Sequence, residues 1–134
     1  MTGLLLDTNL LIFRPDFARL GQPIEEIEVF TSTLCYAELL EGEFSDQPVA
    51  AAAAAFQVAA AQSALGEGLP FGTAELIAYR AICTAIAASG RQLTRARRMD
   101  MMIAATALAN GLTLATRNVD DFKAAAMIVP VVAL

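Results

Sequence analysis

The chain has no histidine and no tryptophan, only two cysteines and, among its nine basic residues, a single lysine, Lys123. Without histidine, Ser-His-Asp and Cys-His nucleophile systems, metal-free RNA cleavage by paired histidines and most catalytic zinc sites are excluded. Cys35 and Cys83 stand far apart and give neither a disulfide framework nor a zinc set, which suits a reducing cytoplasm. No Gly-rich phosphate loop of the Walker or dinucleotide type occurs. Met1-Thr2-Gly3 runs straight into an apolar segment without a basic region or a small-residue cleavage site, so no export signal is expected. Hydrophobic residues reach 57%, but alanine inflates that figure, and no strongly apolar stretch of about 18 residues is expected. The run at 49–61 is broken by Gln57 and followed by Gln62 and Ser63, a pattern that suits a buried or packing helix of a soluble protein.

What is present predicts one domain over 1–134, long enough for a real core. Residues 3–7 read as an apolar strand ending in Asp7, with Thr8-Asn9 able to cap a helix carrying Leu10, Leu11, Ile12 and Phe13. Residues 28–31 read as a second strand, and Ser32 or Thr33 caps a helix through Gly42. Asp46-Gln47-Pro48 starts an alanine-rich helix to about Leu65, Leu69-Pro70-Phe71 forms a short strand or turn, and a further helix runs from Thr73 to near Gly90. Then come a helix over 99–110, a strand over 112–116, a loop over 117–122, and a last strand over 128–132 whose Pro130 suits only a sheet edge. Strands alternating with helices predict an α/β fold on a mainly parallel sheet.

Four acids then stand out. Asp7 ends an apolar strand, Glu38 sits within Ala37-Glu38-Leu39-Leu40, Asp100 shares a helix face with Ile103, Ala104, Ala107 and Leu108, and Asp121 precedes Phe122. Carboxylates are seldom buried unless paired or bound to a cation, and a histidine-free set of hard oxygen donors favours Mg²⁺, with Mn²⁺ as a substitute. Glu41 lies on nearly the same helix face as Glu38, so periodicity leaves that choice open. Four arginines, Arg91, Arg95, Arg97 and Arg98, gather ahead of Asp100 and offer phosphate contacts on a chain of net charge -5.

Together, Leu5-Leu6-Asp7-Thr8-Asn9, the segment 32–42 with Ala37-Glu38-Leu39, the segment 98–107 around Asp100, and Thr116-Arg117-Asn118-Val119-Asp120-Asp121-Phe122 resemble the PIN domain, and within it the VapC-type toxin ribonucleases of toxin-antitoxin pairs. The resemblance implies a three-layer α/β/α sandwich and a metal-dependent endoribonuclease acting on tRNA or ribosomal RNA. It implies Asp7 and Asp100 as principal metal ligands, Glu38 as a third acid and Asp121 as the fourth, with Asp120 as its rival. Asn118 stands where many relatives carry another acid. Thr8, Asn9, Ser32, Thr116 and Asn118 are expected to support the ligands, and Arg95, Arg97 and Arg98 to contact RNA. A VapB-type antitoxin and a second copy of the toxin are the implied protein partners.

Each acid also has a plainer explanation. Asp7 reads equally as a helix cap, Asp100 as an acid favoured by the helix dipole, Glu38 as the partner of an arginine, and Asp120-Asp121 as a solvated turn. A charged loop such as 91–98 is usually only solvated. Of the other functions open to a small α/β protein, a phospho-acceptor receiver domain needs a receiving aspartate near mid-chain, where this chain is alanine-rich, and a late lysine, for which only Lys123 is available. A catalytically silent RNA- or antitoxin-binding module is the other alternative.

Overall fold

A computed structural model describes residues 3–134; the Met1-Thr2 lead lies outside them. Four parallel strands form one sheet in the order β2-β1-β3-β4: β1 (Gly3–Leu6), β2 (Glu28–Phe30), β3 (Thr113–Thr116) and β4 (Val131–Ala133). Leu5 pairs with Phe30 on one side and Leu114 on the other, so β1 is a central strand, apolar throughout as a strand buried on both faces must be. Five helices cover the sheet: α1 (Thr8–Ile12), α2 (Thr33–Glu41), α3 (Pro48–Leu65), α4 (Thr73–Ala88) and α5 (Arg98–Ala109). Leu5 and Leu114 face a core built with Ile82, Ile86, Met101 and Ile103 of α4 and α5. Leu4, Leu6 and Ala115 face the opposite way, onto Leu10, Ile27 and Leu134. Two cores on either side of one sheet make the three-layer α/β/α arrangement anticipated above.

Element boundaries follow the local chemistry. β1 ends one residue sooner than expected because Asp7, not Thr8 or Asn9, caps α1. Ser32 caps α2 by accepting the Cys35 N–H. The turn at Leu69 becomes a single parallel bridge to Ser32, held by Leu69 N–H to Thr31 O and Thr33 N–H to Leu69 O at 2.9 and 3.0 Å. Pro130 falls just before β4, an edge strand, where its carbonyl accepts from Leu114 N–H.

α3 departs from expectation. At 18 residues and a mean hydropathy of 1.3 it is long and apolar enough to cross a membrane, and only 17% of it is buried. Ala54, Val58 and Ala61 form its packed line, while Val49 and Phe56 are exposed. Alanine explains the mismatch: it scores as apolar yet asks for little burial, so composition alone does not reveal which face packs.

Two glycines set close approaches around α2. A methyl at Gly42 would lie 2.8 Å from the Ala54 Cβ, so α2 and α3 meet almost backbone to side chain. One at Gly68 would lie 2.5 Å from Thr33 N and 2.7 Å from the Ser32 carbonyl carbon, both backbone atoms that cannot swing aside. Gly68→Ala is therefore expected to lower stability by about 1–3 kcal/mol, the usual cost of overpacking. Urea unfolding at neutral pH measures it, and an unchanged midpoint would contradict the tight bridge at the start of α2.

Candidate active site

The carboxyl ends of the parallel strands carry the acids, the end at which open α/β sheets bind ligands. Asp7 leaves β1 with its N–H still donating to Ala115 O at 2.9 Å, so its position is fixed by the central ladder. Its side chain is 6% exposed. Oδ1 accepts from Thr8 N–H at 2.8 Å, and Oδ2 accepts from the Thr116 hydroxyl at 2.8 Å. Burial pushes the Asp7 carboxyl up from 3.8 to about 6; the bonds from Thr116 and Thr8 oppose this, and the charges of Asp100 and Glu38 add to it. The buried Thr116 hydroxyl is a hub, accepting also from Asn9 Nδ2 at 3.3 Å and Asn118 N–H at 3.1 Å.

Glu38 projects from α2 and is half-buried; its Oε1 accepts from the Thr8 hydroxyl at 2.6 Å. Burial raises its proton affinity, opposed by the Thr8 bond and reinforced by Asp100 and Glu41. Glu41 itself is exposed, so the fold resolves the ambiguity left by periodicity in favour of Glu38. Asp100 lies in the first turn of α5, partly buried, its carboxyl likewise raised by burial and by Asp121 and lowered by Arg97. Asp121 sits on a short 3-10 turn, Val119–Phe122, anchored by the fully buried Phe122, while Asp120 is exposed.

Arg97 does not lie free for RNA as anticipated. Its Nη1 donates to Asp100 Oδ2 at 3.2 Å and forms an ion pair with Asp121 Oδ1 at 2.7 Å. The reason is electrostatic, since two carboxylates in each other's field recruit the nearest guanidinium, and its donors can reach both. Arg91, Arg95 and Arg98 remain exposed. Ser32 touches no acid directly: its hydroxyl donates to Cys35 Sγ at 3.2 Å, and that thiol in turn bonds to Thr8 and senses the charge of Asp7.

The acids therefore stand as two hydrogen-bonded pairs rather than one cup: Asp7 and Glu38 joined through Thr8, and Asp100 and Asp121 joined through Arg97. Among the described residues no three acidic side chains close on a point that one ion would touch. The pairs nonetheless sense each other, Asp100 raising both Asp7 and Glu38. The donor set fits a divalent ion in its chemistry: all hard oxygens, in mutual repulsion, with a cation already drawn between Asp100 and Asp121. For Asp7, Glu38, Asp100 and Asp121 to hold one ion together, the two pairs would have to draw closer and Arg97 release its carboxylates.

Sequence reasoning passed over two residues at the rim. Arg117 Cζ lies 4.2 Å from the centroid of the Phe13 ring, and its N–H donates to Asn9 Oδ1. The sign was present in Thr116-Arg117-Asn118, an arginine beside the hub threonine, but its aromatic partner lies more than 100 positions away in the chain.

Asp7 also predicts a pH dependence of the metal-free protein. Because its folded pKa exceeds the unfolded value, the unfolded chain loses its proton first as pH rises. Stability then falls between about pH 4 and pH 6 and stays lower above, by about 3 kcal/mol for a rise from 3.8 to about 6. Glu38 and Asp100 are shifted in the same direction. Asp7→Asn is expected to remove the largest part of that fall. Thermal melts in chelator from pH 4 to pH 7.5 test this, and parallel curves for the two proteins would contradict a costly buried carboxylate.

Against known proteins, residues 4–127 match the PIN domain family model. No curated protein matches the chain in sequence. Among solved structures it is similar to VapBC-5 from Mycobacterium tuberculosis, a member of the VapBC toxin-antitoxin family, with a TM-score of 0.79 and 25% identity over 100% of this chain and 98% of that one. FitAcB from Neisseria gonorrhoeae follows with a TM-score of 0.71 and 28% identity over 96% of this chain and 95% of that one. The DNA-bound VapBC from Salmonella typhimurium shares the fold at a TM-score of 0.74 and 23% identity over 99% and 98% of the two chains. A model matched over nearly the whole length, on a four-stranded parallel sheet with acids at its carboxyl ends, shows that the chain belongs to the PIN domain family.

Proposed function

We propose that this PIN domain is the toxin of a type II toxin-antitoxin pair, a Mg²⁺-dependent endoribonuclease that hydrolyses phosphodiester bonds in tRNA or ribosomal RNA. The observation that carries the reading is the electrostatic gathering of Asp7, Glu38 and Asp100 from three separate elements, with Asp121 paired to Asp100 through Arg97. A stable fold would not bring mutually repelling acids together unless a cation offset the cost. A bound divalent ion would supply positive charge to offset the negative charge that builds on the phosphodiester oxygens during displacement, and Mn²⁺ has suitable chemistry to replace Mg²⁺. Thr8 and Thr116 hold the Asp7 and Glu38 oxygens in place, the usual task of hydroxyls beside metal-binding carboxylates. Arg95 and Arg98, exposed beside α5, offer phosphate contacts outside the acid pocket.

The partner reading rests on surfaces. An apolar groove of about 540 Å³ lined by Leu10, Leu11, Phe17, Ile24, Ala61 and Leu65 would receive an apolar segment of a VapB-type antitoxin. Exposed Leu76 and Ile77 on α4 suit a second toxin copy within a soluble, cytoplasmic complex. One observation favours a second reading, a catalytically silent binding module: Arg97 already pairs with both Asp100 and Asp121.

Total RNA incubated with the purified protein in Mg²⁺ and in chelator separates the two readings. Cleavage only with Mg²⁺, reduced at least 100-fold in Asp7→Asn and Asp100→Asn proteins that melt cooperatively, is expected. Arg97→Ala should bind Mn²⁺ several-fold more tightly in calorimetric titration, since its guanidinium competes for the same oxygens. Equal cleavage by the Asp100→Asn protein would refute the assignment.

A further inference from the structure

We propose that Phe13, Arg117 and Asn118 form a nucleotide subsite that holds an unpaired nucleotide of the RNA beside the acid pocket; this rests on the ribonuclease reading above. The three residues and Asn9 line a cavity of about 340 Å³, within the range of sites that hold small molecules. Arg117 Cζ lies over the Phe13 ring at 4.2 Å from its centroid, within reach of a cation–π contact, and both side chains are exposed. Among the described residues Arg117 has no carboxylate partner, in contrast to Arg97. Its charge is therefore available to an anion.

The main chain of the subsite is anchored from behind, through the backbone N–H of Arg117. Arg117 N–H donates to Asn9 Oδ1, Asn9 Nδ2 donates to the Thr116 hydroxyl, and that hydroxyl donates to Asp7. Three hydrogen bonds thus tie the subsite to the most buried acid. Phe13 and the guanidinium stand together with both side chains exposed, a platform open to a base, because guanidinium planes and aromatic rings both stack on unpaired nucleobases. The exposed Asn118 amide stands where it can read a base edge, with both donors and acceptors. A duplex offers no such face, so the arrangement selects single-stranded or loop RNA.

Fluorescence anisotropy with a labelled, mixed-sequence single-stranded RNA dodecamer tests the subsite in the Asp7→Asn background, which preserves the probe. Added Arg117→Ala or Phe13→Ala is expected to weaken binding roughly ten-fold or more, the scale of one stacked base, with Arg117→Lys intermediate because it keeps charge and loses the plane. Duplex RNA of the same sequence should be affected far less. Unchanged single-strand affinity in Arg117→Ala, with the parent binding RNA, would overturn the subsite and leave the ribonuclease reading standing. An equal loss for duplex and single strand would overturn base stacking. A parent that binds no RNA, together with a wild-type protein that cleaves none, would overturn the ribonuclease reading itself.

Discussion

The Asp7 carboxylate at the end of the central strand is the constraint around which the rest is arranged. Its backbone belongs to the sheet, its side chain caps α1, and its second oxygen is held by a hydroxyl from β3. Three elements therefore meet on one ionisable group that is nearly removed from water. Burial of a charge is costly, and the short bonds from Thr8 and Thr116 offset only part of that cost. The fold thus stores an unfavourable charge at the place where a ligand of opposite sign would relieve it.

Around that group the two acid pairs solve the same problem by different means. Glu38 and Asp7 share Thr8, whose hydroxyl donates to one and whose N–H donates to the other, a neutral device that orients without cancelling charge. Asp100 and Asp121 share a guanidinium, whose single positive charge offsets part of theirs. The difference follows from place in the chain: Arg97 immediately precedes α5 and is within reach of Asp100 three residues on, whereas no arginine lies near Glu38 on α2. Even so, the half of the site nearer α5 keeps net negative charge, and Asp100 still raises both Asp7 and Glu38.

Much of this was legible beforehand. The unbroken Leu4-Leu5-Leu6 run announces a strand buried on both sides, Ser32 and Gly42 bracket α2, and Pro48 and Gly66 bracket α3, because capping and breaking are local events. Asp7, Asp100 and Asp121 were visible as acids beside apolar residues. Four things were not legible, the first three for the same reason, that they depend on distances across the fold. The choice of Glu38 over Glu41 turns on a hydroxyl 30 residues away. Arg97 was assigned to RNA because its pull toward two carboxylates from separate segments has no signature in sequence order. Arg117 gained its meaning only from Phe13, and α3 hid its packed line among near-identical alanines.

Gly42 follows Glu38 by one helical turn, on the same side of α2, and faces Ala54 with no room for a methyl group. The tilt of α2, and with it the reach of the Glu38 carboxylate toward Thr8, is accordingly governed by a hydrogen atom on the neighbouring helix crossing. Mutational drift at an inconspicuous position of the α2–α3 contact would thereby retune the acid pocket without altering any residue inside it.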